Sequence, residues 1–254
     1  MEQLPCHLLA DPPMPGPVNM AIDELLLETM SSSETPALRF YSWSEPTLSL
    51  GYFQSFSDRE KHQNSLSCPV VRRTTGGGAI LHDCELTYSL SWPNRERPHQ
   101  IKCKTTKGAE WMYEWVHQAL IDVLAEMGVD ATFCKATAPV TTEQPFLCFE
   151  RRSDWDVGLG NAKIVGSAQR SYRGGVLQHG SLLLSASAFT PHLTGLNEYG
   201  VPCSVETLRA RWADEIAAKA DLRLEEKQLT NAQKQASVEL AEQKYGSSRW
   251  IKRR

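Results

Sequence analysis

The order of apolar and polar positions divides the chain into elements. MAIDELLLETM, residues 20–30, places Leu25, Leu26 and Met30 on one stripe, with Pro17 and Asn19 just upstream. Asn19 as N-cap, with Asp23 and Glu24 near the positive end of the dipole, predicts a helix there. After the linker SSSETP, the aromatic and β-branched segments LRFYSW and TLSLGYF predict two short strands. PVVRRT and AILHDCELTYSLSW follow. In the latter, Leu86, Tyr88, Leu90 and Trp92 alternate with polar or small neighbours, which predicts a sheet with one buried face. Residues 108–127 give the clearest helix: Trp111, Met112, Trp115, Val116, Ala119, Leu120, Val123, Leu124 and Met127 fall at steps of three and four, and Gly128 suits the stop. That aromatic stripe is core, since helical spacing explains it fully. TFC, then DWDVGLG, KIVGSAQR and GGVLQHGSLLL, predict further strands separated by glycines. From Val201 the composition turns to Ala, Glu, Lys and Gln. Ser204 suits the cap of a helix with Val205, Leu208, Trp212 and Ile216 on one face, and Thr230 to Gln233 has capping-box form for another ending near Gly246. Two strand-rich regions around a helix predict an α+β fold, with one domain over 1–200 and a helical extension over 201–254.

Composition narrows the class more than the activity. At 254 residues, 41% apolar and 22% charged, the chain is ordinary globular material. A net charge of −3 marks neither a nucleic-acid binder nor a membrane-surface binder. No apolar run reaches membrane-spanning length, and the start lacks a signal peptide's basic-then-apolar order, so the expected setting is the cytoplasm. Seven cysteines at 6, 68, 84, 103, 134, 148 and 203 fit neither a disulfide framework nor zinc spacing, and the seven histidines are scattered. They read as reduced thiols, mostly core, with room for one reactive member. No metal site is expected.

Two stretches could carry chemistry. Arg72-Arg73-Thr74-Thr75-Gly76-Gly77-Gly78-Ala79-Ile80-Leu81-His82-Asp83 combines three glycines, whose N–H groups can face an anion or a carbonyl oxygen, with two arginines suited to phosphate or carboxylate. It matches neither a P-loop nor G-x-G-x-x-G. An ordinary hairpin loop with solvated arginines explains it equally well. The second stretch gathers Cys148-Phe149, Lys163 to Gln169 and Gln178 to Ser181. A thiolate is a competent nucleophile and a nearby ammonium favours it. Taken singly, Cys148 reads as a buried thiol, Lys163 as a solvated strand lysine and His179 as a hydrogen-bonded core or cleft histidine, while Cys84 is a rival nucleophile. Without a G-x-S-x-G elbow, Ser167 and Ser181 read as backbone-bonding strand serines. His82-Asp83 is weak as a dyad, because neighbours on a strand face opposite ways.

Five segments in order resemble the lipoate-protein ligase and octanoyltransferase branch of the biotin/lipoate protein ligase superfamily: NMAIDELLLE, LRFYSWSEPTLSLGYFQ, VVRRTTGGGAILHDCELTYSL, CFERRSDWDV and KIVGSAQRSYRGGVLQHGSLLL. The resemblance implies a class II synthetase-like catalytic domain, with a larger mixed β-sheet and a smaller sheet flanked by helices. It also implies a cleft for an eight-carbon acyl chain, walled by Arg73, Gly76, Gly77, Gly78, Ala79, Ile80, Leu81 and His82 and completed by Gly166, Ser167, Ala168, His179 and Gly180. Cys148-Phe149 before Lys163, together with Glu85 to Ser89, is similar to the cysteine octanoyltransferases. These take octanoyl from octanoyl-acyl carrier protein onto the cysteine and pass it to a lysine of a lipoyl domain or glycine cleavage H protein, with Cys148 and Lys163 as the catalytic residues. That route implies a monomer, no cofactor, no nucleic acid and no membrane. The same fold also hosts ligases that need ATP and Mg, amidotransferases acting between lipoyl proteins, and acyl-binding proteins without activity. Two positions depart from the transferase pattern. Glu150-Arg151-Arg152-Ser153 stands where Pro-Ser is usual, and Gly78 stands where arginine is frequent.

Overall fold

The segment Glu85–Pro93 carries the alternation expected of it, but both of its faces are buried. In the computed structural model, which describes residues 3–93, 97–105, 108–136, 144–201 and 204–254, this segment is β6 at the centre of the larger sheet. The other strands in chain order are β1 (Leu4–Ala10), β2 (Ala37–Tyr41), β3 (Thr47–Leu50), β4 (Val70–Arg72), β5 (Ile80–His82), β7 (Ala131–Phe133), β8 (Val157–Leu159), β9 (Ala162–Tyr172), β10 (Gly175–Leu183) and β11 (Leu222–Glu226). The helices are α1 (Gly16–Thr29), α2 (Trp111–Glu126), α3 (Val205–Ala220), α4 (Asn231–Leu240) and α5 (Ser248–Ile251). Eight strands run in the order β11-β1-β2-β6-β10-β9-β8-β7, parallel at β11-β1-β2 and antiparallel from β2 onward. The smaller sheet is β4-β3-β5, with β4 parallel and β5 antiparallel to β3. The larger mixed sheet, the smaller one and the flanking helices are the expected α+β architecture.

Helices α2 and α3 cover the apolar face of β6. Trp92 meets Trp111 and Trp115 edge-on at 5.6 and 5.5 Å, and Tyr88 meets Trp212 at 4.9 Å. The indoles of Trp115 and Trp212 donate to the Ile216 and Val116 carbonyls, so each buried N–H is satisfied. On the opposite face Glu85, Thr87, Ser89 and Ser91 are also buried. Ser89 donates to Asp23 of α1 at 2.8 Å and Thr87 accepts from the Trp43 indole at 3.0 Å. The expectation of one solvated face therefore fails, because the polar half of β6 is enclosed under α1.

Helix α1 starts earlier than expected, with Pro17 in its first turn. Asn19 is not its cap. It is fully buried and donates to the carbonyls of Met14 and Ser42 while accepting from Arg39. Ser204 and Thr230 do cap α3 and α4 as read, although Val205 points to solvent rather than joining the buried face of Leu208, Trp212 and Ile216. The stretch read as wholly helical also contains β11, whose LRLEE sequence alternates only Leu222 and Leu224 with polar residues, and which pairs with β1 at the sheet edge. Among the described residues no helix is long and apolar enough to cross a membrane, and no His/Cys/Asp/Glu cluster could hold a metal. The described cysteines are free. Cys6 and Cys68 are buried and Cys84, Cys103, Cys134 and Cys148 half-buried, so fewer are core than expected; Cys203 lies outside the described residues.

Candidate active site

The glycine loop is built around a buried arginine. Arg73 is 2% exposed, and its Nη1 donates to the Ser49 carbonyl and hydroxyl at 2.8 and 2.7 Å. Its Nη2 donates to the carbonyls of Gly76 and Gly78 at 3.0 and 2.8 Å, so the planar fork holds the loop's shape. Burial lowers the pKa of this guanidinium to about 10. Arg72 is buried as well, tied to the carbonyls of Gly51, Gln54 and Ile251. Neither arginine is solvated and neither stands free to clamp an anion. Both instead bind main-chain carbonyls. Gly77 has φ +90°, which L side chains rarely adopt.

Cys148 is fastened to the end of this loop. Its N–H donates to the Ala79 carbonyl at 2.7 Å and Ala79 donates to Phe146 at 3.0 Å, while Ala79, Leu147 and Phe146 pack with Leu48 and Leu50. A Cβ on Gly78 would stand 3.0 Å from the Cys148 nitrogen and from the Arg151 guanidinium, so a side chain here would press on both and shift them by a few tenths of an ångström. Lys163 arrives from β9 through a one-residue irregularity. Gly158 pairs with Lys163 but Val157 pairs with Val165, leaving Ile164 as the extra residue. In a regular strand residues three apart face opposite ways; the bulge puts Lys163 and Gly166 on one face. The Lys163 Nζ lies 2.9 Å from Asp156 Oδ2, 3.1 Å from the Cys148 carbonyl and 3.6 Å from Cys148 Sγ. Burial favours the neutral amine, but the Cys148 and Asp156 charges outweigh it and raise the pKa of Lys163 above its ordinary value. Lys163 is a buried cation and not the solvated lysine that spacing alone suggests.

A pocket opens beside the thiol. It brings together Arg73, Gly76, Gly77, Ile80, His82, Cys148, Ser167, Ala168, His179 and Gly180 from the sequence-derived set, and adds Met20, Tyr41, Thr87 and Ser181. Gly78, Ala79, Leu81, Lys163 and Gly166 do not line it. Leu81 alternates away from Ile80 and His82, and Ala79 is packed under the small sheet. Cys84 lies in a separate depression with Asp83, Ser185 and Asn197, and burial raises its thiol pKa, so it is not brought to Lys163.

Under the pocket runs a polar network that sequence reasoning missed. Arg73 can only donate, so Ser49 Oγ accepts from it and its own O–H donates to His82 Nε2 at 2.7 Å. His82 Nδ1 then donates to Glu85 Oε1, which also accepts from Thr87 and Ser181 at 2.6 and 2.9 Å. Burial lowers the pKa of His82, consistent with this neutral tautomer. His179 joins Thr75 Oγ1 at 2.7 Å and Asp23 Oδ2 at 3.1 Å, the hydrogen-bonded cleft histidine expected of it. Asp23 also holds Arg39, Tyr41 and Ser89. Burial would raise its pKa, but His179 and Arg39 pull it below the ordinary value. Asp23 is thus a buried hub rather than a dipole partner of α1. Ser167 and Ser181 bond side chains, His117 and Glu85, not backbone. A hairpin signal could have found Asp156: folding β8 onto β9 across the Gly160 turn carries it toward Lys163.

The chain has relatives among known proteins. The octanoyltransferase LipM of Halalkalibacterium halodurans is 30% identical over 269 residues, covering 91% of this chain and 93% of its own. That of Kyrpidia tusciae is 32% identical over 266 residues, covering 91% and 93%. A bi-partite lipoate protein ligase from Thermoplasma acidophilum, studied with its E2 lipoyl domain, superimposes with TM-score 0.74 over 98% of this chain and 96% of its own; at 19% identity this speaks to fold alone. The family described as the lipoyl protein ligase A/B catalytic domain matches residues 15–221, a span that holds the glycine loop, the thiol and the lysine, and the chain belongs to this family of acyl-transferring enzymes.

Proposed function

We propose that this protein is an octanoyltransferase of lipoate biosynthesis, in which Cys148 takes octanoyl from acyl carrier protein and passes it to a lysine of a lipoyl domain or of glycine cleavage H protein. The carrying observation is the Lys163 ammonium 3.6 Å from a half-buried Cys148 sulfur that also lines the pocket. The full-length likeness to proteins named octanoyltransferase supports it. In the first step the Cys148 thiolate attacks the thioester carbonyl, the carbonyl–sulfur bond to the carrier breaks, and the carrier thiolate leaves and takes up a proton. The N–H groups of Gly76, Gly77 and Gly78 donate to no protein acceptor among the described residues, which makes them the candidate donors to the oxyanion. Burying the six methylenes of octanoyl at about 0.8 kcal/mol each contributes roughly 5 kcal/mol to binding. In the second step the neutral lysine amine attacks the Cys148 thioester. The carbon–sulfur bond breaks, Cys148 leaves as thiolate beside Lys163, and the amine gives up a proton as the amide forms. Thioester exchange is near thermoneutral and amide formation is downhill, so neither step needs ATP.

Intact-protein mass spectrometry tests this directly. Wild type mixed with octanoyl-acyl carrier protein, without ATP, gains one octanoyl mass, and Cys148→Ala gains none. Absence of the adduct on wild type refutes the thioester route and turns attention to lipoate with ATP.

A further inference from the structure

Beside the glycine loop the surface carries a group of cations without acidic partners. The loop 51–56 lies on the segment 74–76: Tyr52 N–H donates to the Thr75 carbonyl at 2.8 Å, and the Phe53 ring, 66% exposed, lies close enough that a Cβ on Gly76 would be 3.7 Å from it. The chain's last residues close over the same loop, Phe56 N–H donating to the Arg254 carbonyl at 2.7 Å. Four cations stand on these aromatics. Arg253 is 4.1 Å above Tyr52, Arg254 is 5.3 Å above Phe53, Lys252 is 5.4 Å above Phe56, and Arg170 is 5.3 Å from Tyr52 while donating to the Thr74 carbonyl. Among the described residues none of the four forms a salt bridge, although the whole chain has 30 acidic side chains against 27 basic ones. Lys252, Arg253 and Arg254 are exposed. Aromatic faces hold such cations in place without neutralising them. The positive surface thus sits one residue from Gly76 and Gly77, which line the acyl pocket.

We infer that this group of Arg170, Lys252, Arg253 and Arg254, standing on Tyr52, Phe53 and Phe56, docks an acidic carrier domain, the one that delivers the acyl group. The inference rests on the transferase reading above. A carrier presents its thioester at the tip of an arm rooted on a phosphodiester, so both the protein surface and the arm's root are anionic where they meet these cations. An acceptor domain presents a lysine ammonium, which the same cations repel. Exposed Phe53 supplies the apolar contact that a purely electrostatic encounter lacks.

The test compares Lys252→Glu/Arg253→Glu/Arg254→Glu with wild type, timing the octanoyl mass on Cys148 from octanoyl-acyl carrier protein and from octanoyl-pantetheine. Discharge of preloaded enzyme onto a lipoyl domain is timed separately. Loading from the carrier should fall about tenfold or more at low salt, the scale of electrostatic steering, while pantetheine loading and discharge stay at wild-type rates. Wild-type loading from the carrier should also fall with added salt, and pantetheine loading should not. Unchanged carrier loading overturns the inference, and so does a loss confined to discharge, which would assign the group to the acceptor. Should the triple variant fail with pantetheine too, the wild-type salt series and Arg253→Gln/Arg254→Gln decide the same question. Wild type that gains no adduct from either donor refutes the transferase reading, and the docking site with it.

Discussion

Replacing Gly166 by alanine isolates the position of the Lys163 ammonium from its charge. A Cβ at residue 166 would stand 2.7 Å from Lys163 Cε and 2.8 Å from Nζ. Ordinary non-bonded contact needs about 3.5–4.0 Å, so the ammonium must retreat by roughly 1 Å. It is the far end of a flexible side chain, so the retreat costs little backbone strain; what changes is its distance to Cys148 Sγ, now 3.6 Å. With an effective dielectric of about 20, two opposite unit charges attract by about 4.6 kcal/mol at that distance and about 3.6 kcal/mol at 1 Å more. The lost 1 kcal/mol or so is worth about fivefold in rate, and misalignment multiplies it. Loading of Cys148 from octanoyl-acyl carrier protein, timed by intact mass, should slow about 10- to 100-fold. Overpacking at this site should cost only about 1–3 kcal/mol of stability. A folded Gly166→Ala protein that loads within twofold of wild type would refute the claim that glycine is present here to seat the lysine.

Gly180→Ala should behave differently, because its Cβ would meet the Ser167 Cβ at 2.6 Å and the Gly166 carbonyl at 2.7 Å, atoms that cannot swing away. Denaturant unfolding should show a loss of about 3 kcal/mol, and a wild-type midpoint would contradict the packing argument. Asp156→Asn removes the carboxylate 2.9 Å from the buried Lys163 ammonium and should cost about 3 kcal/mol at pH 8. Because the pKa of Lys163 is raised in the fold, its contribution is full below about pH 10.5 and is lost as pH rises through the folded value, so the gap between wild type and variant should narrow at strongly alkaline pH. A gap independent of pH would show that the ion pair is not its source. Asp23→Asn should cost about 3 kcal/mol at neutral pH by removing the carboxylate that Arg39, His179, Tyr41 and Ser89 share, Arg39 keeping Asp11 as its remaining anionic partner. The pKa of Asp23 is depressed, so its contribution is present above about pH 4 and disappears as pH falls through the folded value. Unfolding curves at pH 7 and pH 3 check the sign, and a gap that grows in acid would reverse it.

The amino-acid sequence by itself determined what depends on near neighbours. The period of two in β6, the tryptophan stripe of α2 and the caps at Ser204 and Thr230 are local patterns, and each folds as its spacing requires. The resemblance marked the glycine loop, Cys148 and Lys163, 15 residues apart. Only the tertiary structure decided what the polar residues do. Thr87 and Ser89 alternate as a solvated face would, and become the buried floor of a site when α1 closes over them. Asp23 has the spacing of a helix-dipole partner and proves to be the hub of His179, Arg39, Tyr41 and Ser89. Asp156 finds Lys163 because β8 folds back on β9 with one residue extra. Strand β11 alternates only Leu222 and Leu224 with polar residues, too short a pattern to stand out between two helices, and it forms where β1 offers an open edge. Apolar periodicity is written along the chain because every residue of an element contributes to one face. The partner of a buried charge is chosen across the fold, where desolvation obliges a satisfied contact that sequence distance does not record.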